Sequence, residues 1–335
     1  MKIAVLMGGT SEERDVSMAS GCQVANALRE AGHTVVAVDT AHGVLSRADE
    51  SAVMTTGVRV EPPDPEALDL LETGDTTAVT RDPRVGEAEV LFLALHGGAG
   101  EDGTLQTILD VAGAPYAGSG PVGCALAMDK DLSKRLLRDA GIPTPEWLTG
   151  EHSPRAVEQA LGLPAVVKPA SGGSSLRLAL AHDLDELAQA TQGVVEDGDT
   201  VLYERFIEGR ELTVGILGED PLPVGEIIPT HKLFDYECKY QPDLAQEVFP
   251  ADLPEATARR AQELALAVHR TLRLRDFSRV DFMLDASGGL WCLEANALPG
   301  LTANSLLPKA ARAAGISFPA LCERIAALAL KRYQG

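Results

Sequence analysis

The order strand, helix, strand at the start of this chain is what most constrains its fold. Ile3-Ala4-Val5-Leu6-Met7 is a short apolar run of buried-strand type, ended by Gly8-Gly9-Thr10-Ser11. Val16, Ala19, Val24 and Leu28 then recur at helical spacing until Gly32. Further strand-like runs lie at 34–38 and 90–95. This alternation predicts right-handed crossovers and therefore a parallel sheet. In open sheets of that kind ligands collect outside the carboxyl ends of the strands. Two loops end there: 8–14, where Glu13 is placed to hold an ammonium group, and 96–103, where His96 stands among glycines. The first loop leads into a helix, whose leading N–H groups suit an anion. Gly8-Gly9 lacks the G-x-G-x-x-G spacing of a dinucleotide site, which argues against a dehydrogenase.

Gly118-Ser119-Gly120-Pro121 reads as a boundary, followed by one helix over 126–140. The middle of the chain shows strands at 165–168, 175–180 and 201–204, with a helix at 184–190. Beyond it come strands at 211–217 and 222–228, a polar loop at 229–249 and a long helix at 254–272. Two helices close the chain; the last carries Phe318, Leu321, Ile325 and Leu328 on one stripe, with Ser317 as N-cap. The stretch 40–85 is rich in Asp, Glu, Pro and Thr and gives no clear periodicity.

Between 279 and 296 the pattern is that of a hairpin. Arg279-Val280-Asp281-Phe282 and Leu293-Glu294-Ala295-Asn296 flank an Asp-Ala-Ser-Gly-Gly turn. Alternation puts Glu294 and Asn296 on one face, and Arg279 on the same face as Asp281. Two carboxylates and an amide are hard oxygen ligands of the kind that hold Mg2+ while phosphates complete its shell. Elsewhere Lys168-Pro169-Ala170-Ser171-Gly172-Gly173-Ser174-Ser175 is a glycine-rich turn after a strand, able to bring backbone N–H groups and a lysine to phosphate. Lys130 is a second candidate phosphate ligand. Glu204, Phe206, Ile207 and Glu211 offer polar groups and apolar walls for a base and ribose.

Bulk properties narrow the classes. A chain of 335 residues supports two or three cores. The net charge of −20 argues against nucleic acid or an anionic membrane as the main partner. No apolar run is long enough to span a bilayer, and no signal or transit segment is expected before Ile3. Five cysteines without ligand spacing suit reduced thiols, which predicts a cytoplasmic protein.

Taken in order, these stretches carry a family resemblance. GGTSEERDVS, LHGGAGEDGTLQ, MDK, VVKP with GGSS, YERFIEGRELTVG, FDYECKY, RVDFMLD and LEANALPGLTANSLLPKAA resemble the D-alanine–D-alanine ligases of the ATP-grasp superfamily. The resemblance runs from Lys2 to the last helix, with 40–85 unmatched in detail. It implies an α/β fold, α+β in parts, with three domains: 1–118 with the parallel sheet, 119–203 central, and 204–335 with the metal site and a mobile loop at 229–249. It implies ATP-dependent joining of two D-alanine molecules through an acyl phosphate, for peptidoglycan precursor synthesis, in a homodimer with no nucleic-acid or membrane partner.

Residue by residue, the resemblance implies that Lys130, Lys168, Gly173, Ser174, Ser175, Glu204 and Glu211 bind ATP, with Phe206 and Ile207 around adenine and Lys239 at the γ-phosphate. Asp281, Glu294 and Asn296 would hold two Mg2+ (or Mn2+) ions; a monovalent-cation requirement is left open. Glu13, grouped with Ser174 and Tyr240, would take the first D-alanine's ammonium, with His96 nearby. Arg279 and the Gly300 backbone would stabilise the oxyanion, and Ser305 and Leu306 would hold the second substrate's carboxylate. Arg177 stands where the family usually has glycine, Gly172 replaces a longer residue and Ala297 a threonine. Rival readings are a relative with D-lactate, D-Ser or another amino acid as second substrate, and a nucleotide-binding regulator without catalysis.

Overall fold

A computed structural model describes residues 1–56, 68, 82–173, 177–229 and 245–334. The first sheet contains β1 (Lys2–Met7), β2 (Thr34–Asp39), β3 (Gly43–Val44), β4 (Val90–Leu93) and β5 (Tyr116–Ala117), in the order β3-β2-β1-β4-β5. Its pairs are parallel except β2 with β3. β1 is buried from Ile3 to Met7, as a central parallel strand covered on both faces must be. The helix Arg14–Glu30 supplies the first crossover and buries Val16, Val24 and Leu28.

The second sheet is antiparallel: β6 (Trp147–Thr149), β7 (Ala165–Pro169), β8 (Ala179–Ala181) and β9 (Val201–Arg205), ordered β6-β9-β7-β8. The third holds β10 (Gly209–Leu217), β11 (Asp220–Pro221), β12 (Gly225–Pro229), β13 (Ala245–Val248), β14 (Phe277–Asp285) and β15 (Leu290–Asn296). Its main path is β13-β12-β10-β14-β15, with β11 on β10. The parallel N-terminal sheet was expected; that the other two are wholly antiparallel was not specified by strand-like runs alone.

The cores do not follow chain order. The N-terminal core includes Leu321, Ile325 and Ala329 of the last helix, Phe318–Gln334. Cys124 and Leu137, from the helices after the Gly118 boundary, belong to the core of the third sheet. The middle sheet keeps a small core of its own around Val157, Val167, Leu187 and Tyr203.

Three local expectations are corrected. The single helix expected over 126–140 is two, Pro121–Met128 and Lys130–Asp139. Asp129 breaks it by taking an extended conformation (φ −91°, ψ 103°), from which its carboxylate accepts the Leu132 N–H at 2.9 Å as an N-cap. The strand expected over 175–180 is seen only as Ala179–Ala181; 174–176 lie outside the described residues, and Arg177 is turned to φ 61°. A left-handed residue cannot continue a strand. The 229–249 loop falls mostly outside the described residues, but its end, Ala245–Val248, is a strand on β12.

Candidate active site

Lys130 owes its position to the Asp129 break. As the first residue of the second helix it has an N–H with no intrahelical partner, and that group donates to the Ala170 carbonyl at 2.8 Å. Its Nζ donates to the Gly172 carbonyl at 2.6 Å. Both bonds grip the glycine-rich loop that follows β7. Lys168, the fourth residue of that strand, is buried and reaches Glu204 of the neighbouring β9, with Nζ 3.2 Å from Oε1.

These side chains wall a cavity of about 580 Å³ between the second and third sheets. Val166, Leu178, Leu180, Phe206, Ile207 and Met283 contribute to its apolar surface; its polar groups include Lys130, Lys168, Glu204 and Glu211. An apolar slot with a few convergent charges suits a ligand with a flat ring and a charged end. Burial alone would raise the Glu204 carboxyl, but the Lys134 and Lys168 ammonium groups hold it below the ordinary carboxylate range.

At the far end of that cavity lies the hairpin. Arg279 is opposite Asn296, and Asp281 opposite Glu294, in the β14/β15 register. Opposed residues share a face, as do residues two apart, so the four converge as alternation predicts. A register shift between Asp281 and Phe282 marks where the pairing is re-aimed. Asp281 Oδ1 accepts the Thr213 hydroxyl at 2.7 Å and Arg279 Nε at 3.0 Å; Oδ2 accepts Arg279 Nη2 at 2.8 Å and Asn296 Nδ2 at 3.2 Å. Among the described residues no three His, Cys, Asp or Glu side chains gather as a metal site. Two carboxylates with one amide oxygen nonetheless fit Mg2+, which takes few protein ligands and completes its octahedron with phosphate oxygens and water.

Glu294 and Lys130 also line a second cavity of about 70 Å³, with Glu13, His96, Arg279 and Gly300. Gly172 and Gly173 lie between it, the larger cavity and a third of about 220 Å³ that holds Glu12, Glu13 and Arg177. Glu13, at the head of the first helix, is buried between two backbones. A Cβ on Gly173 would stand 2.7 Å from its Oε2, and one on Gly97 would stand 2.8 Å from the same atom.

His96 is fully enclosed. Its Nδ1 lies 3.1 Å from the Leu298 carbonyl, which can only accept, so Nδ1 carries the proton; Nε2, 3.1 Å from Ser20 Oγ, accepts that hydroxyl's proton. Burial lowers its pKa to about 4, and the ring is neutral. Both nitrogens are taken by protein atoms, which makes His96 a wall of the small cavity and a tie between its two sides. Glu101 is a second such tie, accepting the Gly97 and Leu298 N–H groups at 3.0 and 3.3 Å; burial raises its carboxyl.

Ser305 precedes the helix Leu306–Ala313 and caps nothing with its side chain. Its Oγ accepts the Thr302 N–H at 3.1 Å and would lie 3.0 Å from a Cβ on Gly300. The Leu306 side chain is buried in the fold. Any role for Leu306 toward a ligand therefore rests on its backbone N–H. Ser174, Ser175, Lys239 and Tyr240 lie outside the described residues. The structure thus gathers Lys130, Lys168, Gly173, Glu204, Phe206, Ile207, Glu211, Asp281 and Glu294 at the large cavity, and Glu13, His96, Arg279, Asn296 and Gly300 at the small one. Sequence reasoning missed Lys134, Thr213 and Ser20. A lysine, a threonine and a serine inside regular elements carry no local mark; Glu101 at least stood in a glycine-rich loop.

Arg177, the departure just after the glycine-rich loop, does adopt the left-handed conformation that glycine tolerates best (φ 61°). Its guanidinium pairs with Asp197 and lies 3.7 Å from Glu12 of the N-terminal loop. The arginine thus spans from the middle sheet to the N-terminal lobe.

Comparison with known proteins accords with this layout. Residues 2–119 match the family model described as D-ala D-ala ligase N-terminus, and residues 136–327 match D-ala D-ala ligase C-terminus. The D-alanine–D-alanine ligase of Desulforudis audaxviator is 40% identical over 99% of both chains. That of Syntrophotalea carbinolica is 38% identical over 97% of this chain and 95% of its own. The crystal structure of the Bacillus anthracis D-alanine–D-alanine ligase complexed with ATP superposes with a TM-score of 0.77 at 31% identity, covering 100% of this chain and 98% of that one. With both family models matched and identity at this level along the whole chain, the protein belongs to the D-alanine–D-alanine ligase family.

Proposed function

We propose that the chain joins two D-alanine molecules into D-alanyl-D-alanine, with ATP cleaved to ADP and phosphate, for peptidoglycan precursor synthesis. One observation carries the reading: the cavity shaped for a nucleotide and the small cavity holding Glu13 and Arg279 meet at Lys130, Gly173 and Glu294. A phosphate chain entering from one therefore ends where a small zwitterion sits in the other.

In this reading the large cavity takes ATP. Phe206 and Ile207 flank the base, Glu204 and Glu211 face its polar edge and ribose, and Lys130 and Lys168 face the phosphates. Glu13 pairs with the first D-alanine's ammonium, leaving the substrate carboxylate toward the γ-phosphate. Bringing two anions together needs positive charge, which Lys130 and Lys168 supply from the protein. Asp281, Glu294 and Asn296 would hold Mg2+ or Mn2+, which adds charge neutralisation at the phosphates when bound. The acyl phosphate loses phosphate when the second D-alanine's neutral amine attacks its carbonyl. Arg279 and the Gly300 backbone N–H lie where the oxyanion forms, and Ser305 with the Leu306 N–H holds the second carboxylate. Arg279 meets Asp281 through Nε and Nη2 in this structure, and that pair leaves the Nη1 end out of the carboxylate's grip. We assign Ser174, Ser175, Lys239 and Tyr240 to the phosphates and the first substrate on the resemblance alone.

The reading includes the lobes 1–118, 119–203 and 204–335, a homodimer, and a cytoplasmic location. The four described cysteines are separate buried thiols, which suits a reducing compartment. No single helix among the described residues is long and apolar enough to cross a membrane. The test is ADP release against D-alanine concentration, with D-lactate, D-Ser and L-Ala in parallel and with Mg2+ present or chelated. D-alanine-dependent ADP production lost on chelation is expected. ATP binding with no D-alanine-dependent turnover would establish the non-catalytic rival, and faster turnover with D-lactate or D-Ser as second substrate would establish the other.

A further inference from the structure

Lys134 is a lysine that the chemistry above does not use, and it is almost wholly buried, with 1% exposure. It lies one helical turn beyond Lys130, on the inward face of Lys130–Asp139. Its ammonium is 2.5 Å from Glu204 Oε2, and it donates to Thr144 Oγ1 at 2.6 Å and to the Pro145 carbonyl at 3.3 Å. The single proton of the Thr144 hydroxyl goes to the Cys292 carbonyl at 2.8 Å, so Thr144 can only accept from Lys134. The ammonium thus has two hydrogen-bond acceptors and one ion-pair partner, Glu204. Lys134 also lies 5.4 Å from the centre of the Trp147 ring.

Glu204 divides its oxygens between two lysines. Oε2 faces Lys134 behind it, while Oε1 faces Lys168 at 3.2 Å. Lys168 and Glu204 line the large cavity and Lys134 does not. Two ammonium groups and one carboxylate leave one net positive charge, and only Lys168 can present it to a ligand. Without Lys134, both carboxylate oxygens would have Lys168 as their one close cation, and the cluster facing the phosphates would be neutral.

We propose that Lys134 is a positioning residue for the nucleotide: it neutralises Glu204 from behind, so that Lys168 keeps its charge for phosphate. Through Thr144 and the Cys292 carbonyl it also ties the base-side wall to the strand that carries Glu294, two residues beyond Cys292. The inference rests on the reading of the large cavity as an ATP site.

The test uses the full-length chain, wild type and the variants Lys134→Met, Glu204→Gln, Lys134→Met/Glu204→Gln and Lys134→Arg. Steady-state rates give separate KM values for ATP and D-alanine, calorimetry gives the MgATP Kd, and a melting curve reports folding. Lys134→Met should raise the ATP KM and Kd at least tenfold over wild type and leave the D-alanine KM within twofold. Glu204 itself lines the nucleotide cavity, so the double variant is compared with Glu204→Gln: with the carboxylate already gone, Lys134→Met should change the ATP KM less than threefold. Lys134→Arg should lie between wild type and Lys134→Met. An ATP KM within twofold of wild type in Lys134→Met overturns the proposal, as does a rise beyond threefold when Lys134→Met is added to Glu204→Gln. Should Lys134→Met fail to fold, the comparison in the Glu204→Gln background decides alone, with that same rise counting against. A wild-type chain that binds no MgATP defeats the functional reading instead, and calorimetry shows which has failed.

Discussion

Replacing Gly173 with alanine asks whether the glycine loop and Glu13 share one space. Gly173 does not need a left-handed φ, so the substitution brings a methyl group without backbone strain. That methyl would stand 2.7 Å from Glu13 Oε2 and 3.5 Å from Cδ. Ordinary contact begins near 3.4 Å, so the carboxylate must retreat by about 0.7 Å. Retreat is restricted, because the same oxygen already lies against Gly97. A shift approaching 1 Å in a group that orients substrate costs about 100-fold in rate, or about 2.7 kcal/mol. Initial rates of coupled ADP release across D-alanine concentrations should show kcat/KM for D-alanine reduced by about that factor. The methyl points at Glu13, so the calorimetric MgATP affinity should change by less than about fivefold, about a third of that free energy. A kcat/KM within threefold of wild type, or an ATP affinity that falls as far as the D-alanine term, would refute the idea that loop and ammonium site are sterically one unit.

Arg279→Ala should lower turnover by about 100- to 1000-fold if its guanidinium stabilises the oxyanion; single-turnover rates check this, and near-normal turnover would remove that role. Its loss also leaves Asp281 with Thr213 and Asn296 as partners, so a lower melting temperature should accompany the slower chemistry. Acid should destabilise the fold between about pH 6.5 and pH 4. Burial holds His96 and His269 to about 4, so across that window the unfolded chain binds protons that the native chain refuses, and stability falls with pH. Each such proton contributes up to about 1.4 kcal/mol per pH unit. His269, whose Nδ1 is 2.7 Å from Ser278 Oγ, lies outside the site, so His269→Gln should flatten the melting temperature against pH there; an unchanged slope would count against it.

Local pattern accounts for much of what was legible. The β14/β15 hairpin needs only period-two alternation and a turn whose Asp285 accepts the Ser287 and Gly289 N–H groups, all within a short stretch. Asp281, Glu294 and Asn296 could therefore be placed together before any fold was known. The same holds for β1, the helix Arg14–Glu30 and β2, where short apolar runs and glycine stops set the elements. The break at Asp129 was missed because an aspartate inside a helical run looks solvated until its carboxylate is seen capping the next turn.

The amino-acid order by itself determined which elements form, which side chains share a strand face, and the ordered motifs that mark the family. Tertiary structure alone decided protonation, pairing and seams. His96 is neutral because folding buries its ring, while Leu298, 202 positions away, and Ser20 fix which nitrogen carries the proton. Lys134 is a buried cation because Glu204, Thr144 and Pro145 converge on it, and the last helix joins the first core although the chain places them at opposite ends. Those outcomes depend on desolvation and on partners brought close by folding, and both are properties of distance in space that spacing along the chain does not encode.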